Sequence, residues 1–193
     1  METLIDLDKK LFLFLHGLNN PFLDPIMYYA TNTFFWLPIY LLLIFLIFKN
    51  YKKEGWFILL GAALTILLAD QITSYIMKPF FARFRPSHEP SLQNLVHLVN
   101  GYKGGLYGFA SSHAANTFGT AIFVWLVLSP FYRRVGWIFA WAAFMTYTRI
   151  YLGVHYPGDI LVGAIIGLAC GWIGYRLSRW LIERFAKTRV ISK

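Results

Sequence analysis

Residues 25–48 read PIMYYATNTFFWLPIYLLLIFLIF, 24 residues without a single charged side chain. About 20 apolar residues in a helix span the hydrocarbon of a bilayer, so this run predicts a membrane-spanning helix, and Pro38 within it is tolerable there. Working outward, residues 55–77 predict a second span interrupted only by Asp70, and residues 112–131 a third. A fourth, 135–151, ends in Arg149; a fifth, about 157–177, opens on Pro157 and carries Asp159 at its mouth. Proline suits a first helical turn. Gly163, Gly167 and Gly171 fall on one face of the fifth span, which permits close helix packing, within the bundle in the first place and at a dimer seam as the alternative. Upstream, Leu4, Leu7, Leu11, Phe14, Leu15 and Leu18 recur at helical spacing with Asp6 and Lys10 on another face, as in an amphipathic helix lying in the membrane interface. The fold class expected is all-α: a polytopic bundle of about five transmembrane helices plus this interfacial helix, forming one domain over 1–193.

Composition agrees. Of the 193 residues 58% are hydrophobic and 14% charged, with a mean hydropathy of +0.52; soluble domains carry about 25% charged residues. The net charge of +9 does not indicate nucleic acid, because the basic residues sit at the ends of apolar segments. Cys170 is the single cysteine, which excludes an intramolecular disulfide. The N-terminus lacks the basic region and small-residue site of a cleaved signal peptide.

Orientation follows from lysine and arginine. Lys49, Lys52 and Lys53, then Arg133 and Arg134, then Arg176, Arg179, Arg184, Lys187, Arg189 and Lys193 are eleven of the 18 basic residues, and five spans place all of them on one side. The positive-inside rule makes that side cytoplasmic, the C-terminus with it. The long loop 78–111 and the 149–159 turn then share the extracytoplasmic face, and a loop of that length is usually functional.

That face holds Lys78-Pro-Phe-Phe-Ala-Arg83-Phe-Arg85-Pro86, then Ala110-Ser111-Ser112-His113, then Thr148-Arg149-Ile-Tyr-Leu-Gly-Val-His155-Tyr-Pro-Gly-Asp159. Phosphoryl transfer needs positive charge around the equatorial oxygens, an in-line nucleophile and a proton for the leaving oxygen. Lys78, Arg85 and Arg149 supply the charge, the arginines in a bidentate fork. Two histidines, His113 and His155, can divide attack and proton transfer, and Asp159, four residues after His155, can hold one imidazole nitrogen and free the other. Ser111 and Ser112 start the third span, where backbone N–H groups favour an anion. The face lacks the clustered carboxylates of a two-metal site, so neither a metal nor another cofactor is expected. Arg83 and Lys103 read as snorkelling side chains, and His16, His88 and His97 as interfacial or loop residues. Asp70, ionisable within a span, reads equally as a structural hydrogen bond or as support for the site, with no partner evident.

The three segments resemble the signature of the type 2 phosphatidic acid phosphatase family. Lys78 with Arg85-Pro86 matches its first motif in full. Ser111 and His113 match the second, with Ala110 for proline and Ser112 for glycine. Arg149, His155 and Asp159 match the third, with Thr148 for serine. The resemblance covers about residues 70–165. It implies a phosphohistidine at His155, Asp159 orienting it, His113 protonating the leaving group, and phosphate held by Lys78, Arg85, Ser111, the Ser112 N–H and Arg149. It also implies a multi-pass enzyme of the bacterial inner membrane hydrolysing a lipid phosphate. The 100–109 stretch leading into Ser111-Ser112-His113 looks most like members acting on undecaprenyl diphosphate or lipid A; phosphatidylglycerol phosphate or phosphatidic acid are alternatives. Transfer of the phosphate to another acceptor, and a silent anionic-lipid binder, are the competing classes, and intact His113, His155 and Asp159 speak against the binder.

Overall fold

The computed structural model describes residues 3–186. Its regular structure is helical, with no β-strand among the described residues beyond one isolated bridge between Phe84 and Tyr107. Helix α1 (Leu4–His16) starts at Thr3, whose hydroxyl accepts the Asp6 N–H while Asp6 answers the Thr3 N–H. This reciprocal cap satisfies two otherwise orphaned donors. The helix buries Phe12 and His16, and leaves Leu4, Leu7, Leu11, Phe14 and Leu18 exposed. The apolar stripe therefore faces outward, as an interfacial position requires, and the protein is met by the opposite face.

The run 25–48 is not one helix. Helix α2 (Leu23–Ala30) ends at Thr31, a 3-10 turn occupies Thr33–Trp36, and α3 (Leu37–Tyr51) follows. The break has a local cause. The Asn32 carboxamide oxygen accepts the Phe34 N–H at 3.0 Å, and Trp36 Nε1 donates to the Ala30 carbonyl at 2.7 Å. Asparagine so bonded offers the backbone an alternative to the helix, and Pro38 then sits in a first turn where its missing N–H is harmless.

Helix α4 (Gly55–Asp70) runs on through a π stretch (Gln71–Met77) into α5 (Lys78–Phe81). After the long loop come α6 (Ser112–Leu128), α7 (Ile138–Tyr151, led in by a 3-10 turn) and α8 (Pro157–Leu181). The expected third and fourth spans are thus a few residues shorter than predicted, and α8, continued by a π turn to Ala186, is longer. Lys187, Arg189 and Lys193 lie outside the described residues.

Helices α4, α6 and α8 pack backbone to backbone. A Cβ on Gly163 would stand 2.4 Å from the Ser111 carbonyl oxygen; on Gly167, 2.2 Å from that of Ala115; on Gly171, 2.4 Å from that of Gly119. Gly174 meets Gly61 of α4 in the same way. The glycine face of α8 is used inside the bundle. Outward, α3 and α8 present Leu41, Phe45, Leu161 and Trp172, the surface a lipid-embedded chain needs.

Gly167→Ala should lower stability by about 1–3 kcal/mol by forcing α6 and α8 apart. Thermal unfolding in detergent checks this. Gly105→Ala, with no atom within 4 Å of the added methyl, serves as control, and equal melting of the two variants would refute the seam.

Candidate active site

One end of the bundle gathers the charged residues. The helix carrying Lys78 stops at Ala82, which is left-handed (φ 44°). The chain then pairs with the far end of its own loop: Arg85 N donates to the Leu106 carbonyl at 3.1 Å and Gly108 N to the Arg83 carbonyl at 2.9 Å. Arg85 is turned inward, with Nε on the Tyr107 carbonyl at 3.1 Å and Nη1 towards the Val154 carbonyl at 3.4 Å. Gly104, left-handed at φ 66°, leaves room for it, since a Cβ there would lie 2.8 Å from Nη1. Burial, then the charge of Arg149, pushes the Arg85 guanidinium down to about 10, still a cation at neutral pH.

The last turn of α7 contributes Arg149, 2% exposed. Its Nη1 donates to Thr31 Oγ1 at 2.7 Å and its Nη2 to the Tyr102 hydroxyl at 3.0 Å, while buried Nε has no partner. The chain then turns through Gly153 (φ 70°) to His155, buried at 1% exposure. His155 Nδ1 lies 3.3 Å from Asp159 Oδ2, which also accepts the Tyr156 N–H at 3.0 Å. With Nδ1 so engaged, Nε2 is the nitrogen left to react. Burial first, then the charges of Arg85, Arg149, Lys78 and Arg83, holds the imidazole well below its ordinary pKa. It is neutral, as a nucleophile must be.

His113, one residue into α6, is in electrostatic reach of Arg149, His155 and Arg85. It also lines a cavity of about 440 Å³ between α3, α4, α6 and α7, walled by Tyr40, Ile47, Leu59, Phe123 and Met145 among others.

Ser111 caps α6, its hydroxyl accepting the Ala114 N–H at 3.4 Å, and its own N–H donates to the Asp159 carbonyl at 3.0 Å. Ser112 Oγ is the centre of a chain of hydroxyls. It accepts from Lys78 Nζ at 2.5 Å and from Thr73 Oγ1 at 2.9 Å, and lies 2.8 Å from Ser74 Oγ, which donates to Asp70 Oδ1 at 3.0 Å.

A buried imidazole oriented by a carboxylate, with four cations in electrostatic reach, is equipped to take a phosphoryl group. Residues 59–183 match the PAP2 superfamily. The chain belongs to the PAP2 superfamily. It is 40% identical to a lipid A 4′-phosphatase of Bacteroides thetaiotaomicron, over 95% of this chain and 82% of that one. A lipid A 4′-phosphatase of Porphyromonas gingivalis is 39% identical over 94% of this chain and 79% of its own. Among solved structures, Aquifex aeolicus LpxE superposes with a TM-score of 0.68 at 29% identity, covering 88% of this chain and 95% of that one. The chain is a membrane protein and a phosphoester hydrolase.

Set against the PAP2 motifs, the structure brings together Lys78, Arg85, Ser111, Ser112, His113, Arg149, His155 and Asp159. Ser112, expected to act through its N–H, is engaged through its side chain. Asp70 has a partner, Ser74, through which it joins the same chain of hydroxyls as Lys78. Arg83 corrects the snorkelling expectation: it is ion-paired to Asp159 and Asp8, both at 2.8 Å. Only its spacing from Arg85, two residues in an extended segment, hinted at a shared direction. His88 and His97 stay in the loop, as expected. His16 is instead buried, bridging the Ile150 carbonyl (3.1 Å) and the His97 N–H (2.8 Å). Asp8 and Tyr102 carried no sequence signal.

Removing the Ser112 hydroxyl frees Lys78. A hydrogen bond to a charged group is worth about 1.5–3 kcal/mol. Ser112→Ala is therefore expected to lower kcat/KM about tenfold or more, with Ser112→Thr retaining part of it. A Ser112→Ala enzyme of wild-type kcat/KM would show that the serine is a bystander.

Proposed function

We propose that this PAP2 member hydrolyses the 4′-phosphate of lipid A at the extracytoplasmic surface of a bacterial inner membrane, through a phosphohistidine. The observation that carries it is the oriented His155–Asp159 pair beside Lys78, Arg85 and Arg149. The lipid A assignment rests on about 40% identity across most of the chain to the Bacteroides and Porphyromonas phosphatases. The apolar cavity at His113 suits a substrate with acyl chains.

In this reading Nε2 of His155 attacks phosphorus and the P–O bond to the sugar breaks. His113 gives its proton to the leaving oxygen, and Asp159 stabilises the cationic ring through Nδ1–H. Water, yielding its proton to His113, then attacks phosphorus; the P–N bond breaks, returning neutral His155 and releasing orthophosphate. Lys78, Arg85 and Arg149, with the N-terminal N–H groups of α6 at Ser111 and Ser112, hold the equatorial oxygens. Arg149 exchanges Thr31 or Tyr102 for phosphate when substrate arrives. Helices α3, α4, α6, α7 and α8 are the five spans of a single domain, with the C-terminus cytoplasmic; a cysteine at Asn94 should be labelled from outside intact cells, and labelling only after lysis would reverse the topology.

Purified protein in detergent with EDTA, offered lipid A, undecaprenyl diphosphate and phosphatidic acid side by side, should release phosphate fastest from lipid A, and not at all as His155→Ala. Preference for undecaprenyl diphosphate would reassign the substrate, loss with EDTA the mechanism, and label passing to an acceptor lipid would make it a transferase. Because the His155 pKa is depressed, its neutral form persists as pH falls through 6.5. The acid limb of kcat/KM should then lie below the ordinary histidine value, once the second ionisation of the phosphate, near about 6, is allowed for. A histidine limb at 6.5 would contradict the buried, cation-ringed imidazole.

A further inference from the structure

The N-terminal helix reaches the site through one carboxylate. Asp8 lies one helical turn before Phe12, whose ring meets that of Tyr156 edge-on at 5.5 Å. Asp8 Oδ1 accepts the Gly158 N–H at 2.8 Å, and Oδ2 accepts from Arg83 Nη2 at 2.8 Å. Arg83 Nη1 donates to Asp159 Oδ1, also at 2.8 Å, and its guanidinium lies 4.0 Å over the Tyr156 ring. The fit is close: a Cβ on Gly158 would stand 2.7 Å from Asp8 Oδ2. Charge alternates along the line Asp8, Arg83, Asp159, and His155 is at its end.

We propose that Asp8 is a positioning residue for the reaction, governing through Arg83 how much of the Asp159 charge is available to His155. The inference rests on the His155–Asp159 reading above. The distances give the reason. Asp159 holds Arg83 at 2.8 Å but His155 only at 3.3 Å, which is long for a charge-assisted hydrogen bond. A guanidinium facing one carboxylate would claim it; placed between two, it divides its attraction. Asp8 therefore leaves Asp159 more negative towards the imidazole, whose ring becomes cationic when Nε2 bonds to phosphorus. The Asp8–Gly158 bond also fixes the first turn of α8, on which Asp159 rides. The outward face of α1 is the exposed leucine stripe, so one side chain joins the membrane-surface helix to the orienting carboxylate.

The test uses the full chain with lipid A as substrate, measuring kcat, KM and thermal unfolding. Asp8→Asn keeps an acceptor for Gly158 and removes the charge. Groups that orient metal-bound histidines are worth about 10–100-fold in activity; at the low end of that scale kcat should fall about tenfold, with KM within about twofold and the melting temperature unchanged. Lys9→Gln breaks the adjacent pair of α1 with Glu89 and should leave both constants alone. Arg83→Gln added to Asp8→Asn should reduce kcat by less than Arg83→Gln does alone. Wild-type kcat in Asp8→Asn, a change in KM only, or a loss shared by Lys9→Gln and tracking the melting temperature would each overturn the proposal. His155→Ala separates the two readings: if it stays active, the site assignment fails. If it is dead while Asp8→Asn is unaffected, only the role of Asp8 fails.

Discussion

Between α6 and α8 the backbones approach so closely that the Ala115 carbonyl fills the space where a side chain on Gly167 would begin. Contact of this kind gains dispersion and weak Cα–H···O attraction over a long seam, and no larger residue can join it. It also fixes register. Gly163 lies against the Ser111 carbonyl, and the Ser111 N–H reaches the Asp159 carbonyl. The first turns of two helices are therefore held side by side, and each carries residues of the candidate site. The loop is fastened to the same point: a Cβ on Gly108 would lie 3.0 Å from Asp159 Oδ2. Three segments distant in sequence meet because glycine lets them.

Much of this was legible beforehand. Uncharged runs and glycine spacing announce a helical membrane bundle, and the chemistry of their side chains singles out the residues that the fold gathers at the candidate site. The misread element was 25–48. Its hydropathy is uniform, so nothing in apolar content marks the break; the signal was polar and small, Thr31-Asn32-Thr33, where a side-chain oxygen competes with the helix for an N–H. Hydropathy measures what a segment prefers to be surrounded by, and it is silent on where a backbone turns.

The site residues that escaped reading share one property: their role depends on a partner far away in the chain. Arg83 taken alone is an arginine beside a helix end, and only the fold shows it between Asp8 and Asp159, 75 and 76 residues away. His16 looks interfacial until α1 docks and both its nitrogens are used in different directions, one donating to a carbonyl and the other accepting an N–H. That arrangement fits one neutral tautomer, and burial pushes the His16 pKa down accordingly. Ser112, in a position where the family carries glycine, gains its meaning from Lys78 on another helix. Local pattern finds the reactive groups; the groups that hold them are found by geometry.

The crowding of positive charge around His155 has a consequence at the end of the cycle. In the proposed reaction Lys78, Arg85 and Arg149, all within electrostatic reach of His155, would meet the orthophosphate left behind with the same donors that hold the ester, while Arg83 stays paired with Asp8 and Asp159. An anion cradle does not distinguish strongly between a phosphate about to be cleaved and one already free. Departure of the inorganic product, rather than bond breaking, is then the slow step such a site invites, and accumulated phosphate would throttle the enzyme.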